Sequence, residues 1–318
     1  MAVIIYAESD NNTYKKSSLE AITYGKDLAN KLGTSTIAIS MGTVGPQNLG
    51  TYGADVHIHC TDNSLSSFNP QTFANTISTL ANNNSGDVFV ISQTYNGKSI
   101  APLLAVKQDA ALVTGIVDIA ETEGAFTVKK TAFSSKAIAH VELTANKKVL
   151  SIIPNSYKIE ENGTEVSTTE QQVGSASANT TIVSTHKETG KIPLTEAELV
   201  VSAGRGLKGA ENWHMVEDLA NALGAATACS KPVSDMEWRP HSEHVGQTGI
   251  TIKPNLYIAA GISGAIQHLA GVGSSKVICV INTDPEAPFF KAADYGIVGD
   301  AFEVLPRLLK RVKEVKGI

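Results

Sequence analysis

The stretch Leu256–Asp300, LYIAAGISGAIQHLAGVGSSKVICVINTDPEAPFFKAADYGIVGD, constrains this chain more than any other part of it. Its first run, Leu256–Gly261, is short, apolar and closed by glycine, the pattern of a buried strand. Gly261-Ile262-Ser263-Gly264 then predicts a tight turn into a helix carrying Gln267 and His268. The first N–H groups of a helix lack intrahelical partners and lie at the positive end of its dipole, so they attract anions. A second apolar run, Val277–Ile281, ends in Asn282, and a late acidic residue, Asp300, closes the block. A polar helix start after a buried strand is often capping and nothing more. Here the order and length of the whole block point instead to a cradle for a phosphate-bearing cofactor.

Composition sets the frame around that block. A chain of 318 residues is sized for about two domains. With 42% hydrophobic and 18% charged residues it can bury substantial cores as a globular protein. A net charge of −5 and a pI near 5.9 give no reason to expect nucleic acid or an anionic membrane surface as partner. No apolar run approaches the roughly 20 residues that span a bilayer. The start, MAVIIYAE, enters a strand without the charged and apolar regions of a leader or an Arg-rich transit peptide, so a cytoplasmic location is expected. Cys60, Cys229 and Cys279 are odd in number, widely spaced and outside any CxxC motif. They read as small buried thiols rather than a disulfide framework or a zinc site.

The N-terminal part alternates strands and helices. Ala2–Tyr6, Ile37–Ile39, Val56–Ile58 and Asp87–Ser92 read as strands, and Pro70–Asn82 and Ile100–Lys107 as helices. Ser17-Ser18-Leu19-Glu20 has the spacing of a capping box ahead of a helix that Gly33 ends. Such alternation predicts an α/β domain with a mostly parallel sheet covered on both faces. From Phe126 to Ile153, FTVKKTAF, AIAHVEL and KVLSII predict three short strands forming an antiparallel extension of that domain. Asn155–Lys191, rich in Ser, Thr, Glu, Asn and Gly, predicts a linker or crossing segment. The expected division is residues 1–190 for the first domain with its polar linker and 191–318 for a second, parallel-sheet domain. That second domain opens on the strand Ala197–Ala203, followed by a helix at Glu211–Leu223 with Val216, Leu219, Ala220 and Leu223 on one stripe.

Gly204-Arg205-Gly206-Leu207-Lys208-Gly209 matches GxGxxG between a strand and a helix. A nicotinamide fingerprint also needs an acidic residue about 20 positions on, and Asp218 and Asp235 both miss that distance. Arginine beside glycines can suit a pyrophosphate, because its planar fork donates two hydrogen bonds at once, but by itself Arg205 reads as a solvated loop residue. Asn282 ends its strand where side chains of an α/β sheet face the ligand crevice.

The run SGAIQHLAG followed by ADYGIVGD, with VGQTG at Val245–Gly249 and GRGLK at Gly204–Lys208, closely resembles the electron transfer flavoprotein alpha subunit, a family that holds FAD. The resemblance is dense over roughly the last 120 residues and loose before them. It implies an FAD-binding C-terminal domain and places Arg205 on a cofactor-contacting arginine. Ser230 matches the family, whereas Lys231 stands where the family has arginine against the flavin ring. Lysine keeps the charge and loses planar stacking and bidentate donation, which puts the usual flavin potential in doubt.

By the same resemblance, Val245, Gly246, Gln247 and Thr248 run along the flavin. Thr248 lies near its N5 edge, where a hydroxyl can donate or accept. Ser263, Gly264, Ala265, Ile266, Gln267 and His268 form a wall for the pyrophosphate, ribityl chain and pyrimidine edge. His268 would donate to the flavin C2 carbonyl, where negative charge gathers on reduction. Asp300 would hold the adenosine ribose, with the backbone of Ala301 adding a contact.

Two histidine pairs invite a metal reading. His57-Ile58-His59 is explained as well by a strand with one buried and one polar face, and His241-Ser242-Glu243-His244 lies near Pro240 off any obvious helix. No metal is expected at either. No nucleophile elbow or acid/base set stands out.

A cofactor-holding chain without substrate chemistry of its own implies an electron carrier rather than an enzyme. The resemblance adds a heterodimer with an electron transfer flavoprotein beta subunit, electrons from flavin dehydrogenases such as acyl-CoA dehydrogenases, and a membrane quinone oxidoreductase as acceptor. A subunit of an electron-bifurcating flavoprotein complex, a nicotinamide-dependent dehydrogenase and a nucleotide-binding module stay open as alternatives.

Overall fold

The computed structural model describes residues 1–10, 12–42, 44–133, 136–174, 180, 182–185 and 192–318. It divides into one unit of Met1–Ala132 with Ile138–Lys187 and another of Phe133–Ala137 with Glu188–Ile318. The fold is α/β, with a large mixed sheet in the first unit and a separate parallel sheet in the second.

The first unit begins with β1 (Ala2–Ala7), whose six residues are all buried, as a strand covered on both faces must be. A small antiparallel hairpin, β2 (Ser9–Asp10) and β3 (Thr13–Tyr14), leads into α1 (Lys16–Leu32). Gly33 ends α1 in the left-handed conformation, φ 64°, as expected. The predicted capping box does not form. The helix starts at Lys16, no side chain caps it at Lys15, and Ser18 is drawn into donating to the Glu8 carbonyl at 2.8 Å.

Strands β4 (Ser35–Met41) and β5 (Val56–Cys60) follow, then α2 (Pro70–Asn83), capped by the Asn69 side chain with proline in its first turn. Next come β6 (Gly86–Ser92), α3 (Tyr95–Gln108), β7 (Ala111–Ile116), β8 (Thr127–Ala132), β9 (Ala137–Glu142), β10 (Lys148–Ile152) and β11 (Thr168–Gln171). The sheet order is β11-β5-β4-β1-β6-β10-β7-β8-β9. Pairings from β11 through β7 are parallel, and β7 pairs with β8 antiparallel.

Two expectations are corrected here. KVLSII does not extend the sheet antiparallel: β10 inserts parallel between β6 and β7, and Val149–Ile152 are all buried. A nearly unbroken apolar run is the pattern of an interior parallel strand, and that preference overrides sequence proximity to β8 and β9. Part of the predicted linker is a strand. β11 joins the sheet edge beside β5, and the Asp62 carboxylate accepts from the backbone of Val173 and Gly174 at 2.9 Å. An edge strand is held by backbone hydrogen bonds, so its exposed, polar side chains carry no apolar signal. Residues 175–179, 181 and 186–191 of the predicted linker lie outside the described residues.

The strand of His57 and His59 has no polar face; both rings are buried, as is Ile58 between them. Both ring nitrogens of His57 and Nδ1 of His59 meet side-chain hydroxyls. The Ser40 hydroxyl lies 2.8 Å from His57 Nε2 and 3.1 Å from His59 Nδ1, and the Thr168 hydroxyl lies 2.9 Å from His57 Nδ1. Burial, then repulsion from His59, holds the His57 pKa down to about 4, so the ring is neutral near pH 7.

The second unit is built from β12 (Leu199–Ala203), α4 (His214–Leu223), β13 (Ala226–Cys229), α5 (Lys231–Asp235), β14 (Leu256–Ala260), α6 (Ile266–Val272), β15 (Val277–Asn282), β16 (Tyr295–Val298) and α7 (Ala301–Lys316). Its five strands are all parallel, in the order β13-β12-β14-β15-β16. One core under the sheet centres on Tyr257, Val280 and Phe289. The other packs Val216, Leu219 and Ala220 of α4 and Leu305 of α7 against Val201, Ile258 and Ile281. The predicted stripe on α4 therefore faces the sheet.

Candidate functional site

From β12 the chain passes to β13 on one side and then crosses to β14 on the other. β12 and β14 thus flank the point where the winding reverses, which is where open parallel sheets bind ligands, beyond the carboxyl ends of their strands. A cleft of about 460 Å³ lies there. Gly204 and Arg205 come to it from the end of β12, and Ser230, Lys231 and Pro232 from the end of β13. His244–Thr248 form one wall. Gly261–Ser263, Ala265, Gln267 and His268 follow β14, and Asn282 ends β15.

Glycines let these loops meet backbone to backbone. A methyl added at Gly206 would lie 2.6 Å from the Gly261 Cα, and Gly261 itself has φ +61°. The Gly206 amide donates to the Gly261 carbonyl at 3.1 Å, and the Gly204 amide to that of Ala260 at 3.0 Å. The other wall is fastened the same way: a methyl at Gly271 would lie 2.5 Å from the Gly246 nitrogen. The Gln247 amide donates to the Gln267 carbonyl at 2.7 Å, and the Val245 amide to that of Cys229 at 3.0 Å.

Of the residues expected from sequence, Arg205, Ser230, Lys231, Val245, Gly246, Gln247, Thr248, Ser263, Ala265, Gln267, His268 and Asn282 share this cleft. Gly264, Ile266, Asp300 and Ala301 are not in its lining. Gly264 backs onto Phe289, with φ +82° and no room for a side chain, and Ile266 is 62% exposed. Asp300 caps α7, its Oδ1 accepting from the Phe302 amide at 3.0 Å, and its Oδ2 lies 3.8 Å from the Lys208 ammonium.

His268 is buried at the cleft wall. Its Nε2 lies 2.8 Å from the Tyr257 hydroxyl, while Nδ1 is itself buried, near the Val245 backbone but without a well-formed hydrogen bond. Burial, followed by the neighbouring His244, pushes its pKa down to about 4, with the Val245 backbone pulling weakly the other way. The ring is therefore neutral near pH 7.

His244, weighed in the sequence only as a metal ligand, also lines the cleft. It is buried, its Nδ1 is unpartnered, and burial and then His241 lower its pKa. Its position directly before the Val245–Gly249 turn was the available signal. His241, by contrast, has its Nδ1 2.9 Å from the Ser234 hydroxyl and stays out of the lining.

The site is thus a switch-point cleft with two exposed cations, glycine-lined turns and two buried neutral imidazoles. That combination defines a holder of a phosphate-bearing aromatic cofactor. Comparison with known proteins agrees. Residues 3–192 match the electron transfer flavoprotein domain, and residues 193–273 the electron transfer flavoprotein FAD-binding domain. Electron transfer flavoprotein subunit alpha of Bacillus subtilis is 33% identical over 317 residues, covering 98% of each chain. The Syntrophomonas wolfei subunit is 33% identical over 313 residues, again covering 98% of each. The mitochondrial subunit of Dictyostelium discoideum is 33% identical over 333 residues, covering 98% of this chain and 92% of the other. The chain belongs to the electron transfer flavoprotein alpha subunit family, and FAD is the cofactor of its second unit.

The residues present fit that cofactor. The turns around the cleft close on bare backbone at Gly206, Gly261 and Gly271, where a Cβ would clash, and such a cradle suits a phosphate-bearing cofactor. Arg205 and Lys231 bring positive charge to the cleft, which suits an anionic cofactor.

Proposed function

We propose that this chain is the FAD-holding subunit of a heterodimeric electron carrier in the cytoplasm. Its partner would be an electron transfer flavoprotein beta subunit. Electrons would come from flavin dehydrogenases, such as acyl-CoA dehydrogenases, and leave toward a membrane quinone oxidoreductase. The observation that carries this reading is the cleft itself. It brings Arg205, Lys231, Thr248 and His268 around one space, with no nucleophile–base–orienter set among its lining residues. Among the described residues no helix is long and apolar enough to cross a membrane.

Bound FAD supplies the redox chemistry, accepting electron pairs as hydride or electrons singly. The chain's own residues hold and bias it. In this reading Arg205 binds the pyrophosphate, Ser263–His268 follow the chain toward the ring, and Thr248 offers a hydroxyl to the N5 edge. His268 would donate to the C2 carbonyl, and Lys231 would add positive charge where reduction places negative charge. Asp300 would take the adenosine ribose, exchanging or sharing its cap to Phe302, with the Ala301 backbone beside it.

The test is the absorbance of the full chain, co-purified with its co-expressed partner, during stepwise anaerobic reduction with an acyl-CoA dehydrogenase and its substrate as donor. The expected result is a flavin spectrum that bleaches through the dehydrogenase. A colourless chain that takes up no FAD on reconstitution would overturn the reading.

A further inference from the structure

Arg239 lies outside the cleft lining, just ahead in sequence of the wall His244–Thr248. Its guanidinium forks onto the Glu243 carboxylate, Nε donating to Oε2 at 2.8 Å and Nη2 to Oε1 at 2.7 Å. Nη1 donates to Glu217 of α4 at 2.8 Å, and the guanidinium lies over the buried Trp213 ring at 5.5 Å. We propose that Arg239 is a positioning residue for the cofactor. Through Glu243 it holds the His241–Glu243 turn, and with it the His244 ring around which the Gly246–Gly249 turn of the cleft wall is folded. This proposal rests on the reading of the cleft as the flavin site.

The Glu243 side chain is 6% exposed and that of Arg239 15%. A carboxylate so buried is tolerated when a matched cation meets it, and arginine meets both oxygens at once in a fixed plane. Without the fork the carboxylate gains by swinging to water, and the short turn that carries it swings too. His244 is the next residue. A methyl at Gly249 would lie 2.8 Å from its Nδ1, and one at Gly246 3.4 Å from its Nε2, so the ring fills the inside of the Gly246–Gly249 turn. The Ile250 amide closes that turn onto the His244 carbonyl at 2.9 Å. Ring and carbonyl both move when Glu243 moves, and exposed Gln247 and Thr248 at the tip of the turn follow. The wall stays tied by the Val245 and Gln247 amides, so it shifts rather than detaches. The anchor is firm, because Glu217 projects from a helix whose Val216, Leu219 and Ala220 pack against the sheet.

Three variants separate this role from simple packing. Arg239→Gln strands the Glu243 carboxylate, Arg239→Lys keeps the charge without the fork, and Arg239→Gln with Glu243→Gln leaves no buried charge to pair. The full chain, labelled with nitrogen-15 in its glycines, gives the first readout without any cofactor. The amide signals of Gly246 and Gly249 should shift in Arg239→Gln, shift less in Arg239→Lys, and return close to their wild-type positions in the double variant. Signals that stay in place in Arg239→Gln overturn the proposal. So do signals that remain shifted in the double variant, which would assign the effect to packing on Trp213. If Arg239→Gln does not fold, Arg239→Lys carries the same test, and unmoved glycine signals there overturn the proposal.

The second readout is FAD binding. Arg239→Gln should raise the dissociation constant about tenfold and Arg239→Lys about threefold, while the double variant stays within about threefold of wild type. The visible circular dichroism of the bound flavin, which reports how the wall grips the ring, should change in Arg239→Gln and recover in the double variant. A lower urea midpoint with unchanged dissociation constant and dichroism marks a role in stability alone and sinks the positioning role. If wild type takes up no FAD while the glycine signals move and return as expected, it is the flavin reading that fails and the clamp on the wall that stands.

Discussion

Asn282, the last residue of β15, donates from Nδ2 to the Ile262 carbonyl at 3.0 Å and accepts at Oδ1 from the Asp284 amide at the same distance. One side chain thus ties the end of β15 to the turn after β14, across the floor of the cleft. Asn282→Ala leaves the part-buried Ile262 carbonyl without its partner, at about 1–2 kcal/mol, while the exposed Asp284 amide turns to water. The second unit should lose about 1–2 kcal/mol in urea unfolding, and FAD affinity should fall about tenfold as the Gly261–Ala265 turn loosens. Equal FAD affinity in variant and wild type would show that the turn holds its shape without Asn282.

The glycine contact between the first and third strands of this unit is less forgiving. Gly206→Ala places a methyl 2.6 Å from the Gly261 Cα and 3.0 Å from its oxygen, so one backbone must move. Overpacking of this kind costs about 1–3 kcal/mol, and it displaces two turns that line the cleft at once. Gly224→Ala serves as control: φ is +75° there, and the methyl meets nothing within 4 Å, so only backbone strain is added. We expect Gly206→Ala to abolish FAD uptake at micromolar concentrations while Gly224→Ala binds as wild type. Isothermal titration of both decides it.

Much of this cleft was legible in sequence, and the misses share a cause. The turns at Gly204, Gly246 and Gly261 announce themselves because glycine is needed where backbones touch. Arg205 and His268 came from the resemblance to the flavoprotein family, because an arginine beside glycines or a histidine on a helix has a plain local reading by residue type alone. Asp300, expected at the ribose, caps α7 and lies outside the cleft lining; an acidic residue at a helix start carries the same sequence signature for either job, so its ribose role stays part of the proposal. His244 escaped because a buried, neutral imidazole leaves no periodic trace. β10 and β11 were misassigned for a related reason. Strand neighbours in a parallel sheet are set by crossovers, and β10 pairs with β6 residues 60 positions away and β7 residues 36 or 37 positions away, which local pattern does not encode.

The buried His57 makes the first unit sensitive to acid. Its folded pKa is lowered from 6.5 to about 4, so the unfolded chain binds the proton more readily. Stability is therefore fully present above about pH 6.5 and is lost as pH falls from there toward 4, below which the dependence flattens. Between pH 7 and pH 5 the loss should be on the order of 2 kcal/mol from this group. His57→Asn cannot titrate and should remove that part of the slope, measured by urea midpoints across the range. The same slope in variant and wild type would assign the acid sensitivity elsewhere, His268 having a lowered pKa of the same size in the second unit.

Arg205 and Lys231 both line the cleft and are both exposed, so their attraction for the cofactor works through water and is open to salt. The Debye length falls from about 10 Å at 0.1 M to about 3 Å at 1 M, short enough to screen a cation from all but a directly bonded phosphate oxygen. A lysine ammonium beside the flavin ring is a point charge without stacking, whereas an arginine on the pyrophosphate makes bidentate bonds that survive screening better. The two should therefore separate by ionic strength. FAD affinity of wild type should drop several-fold between 0.1 and 1 M salt. Lys231→Gln should lower affinity at low salt, chiefly for reduced FAD, and flatten the salt dependence. Arg205→Gln should weaken binding of both redox states by about tenfold at every salt concentration. Lys231→Arg should bind reduced FAD more tightly than wild type and keep that advantage at 1 M, because a stacked guanidinium holds by contact as well as by charge. Binding of wild type that ignores salt altogether would place both cations away from the phosphates and the ring, and would leave the imidazoles of His244 and His268 to bias the flavin alone.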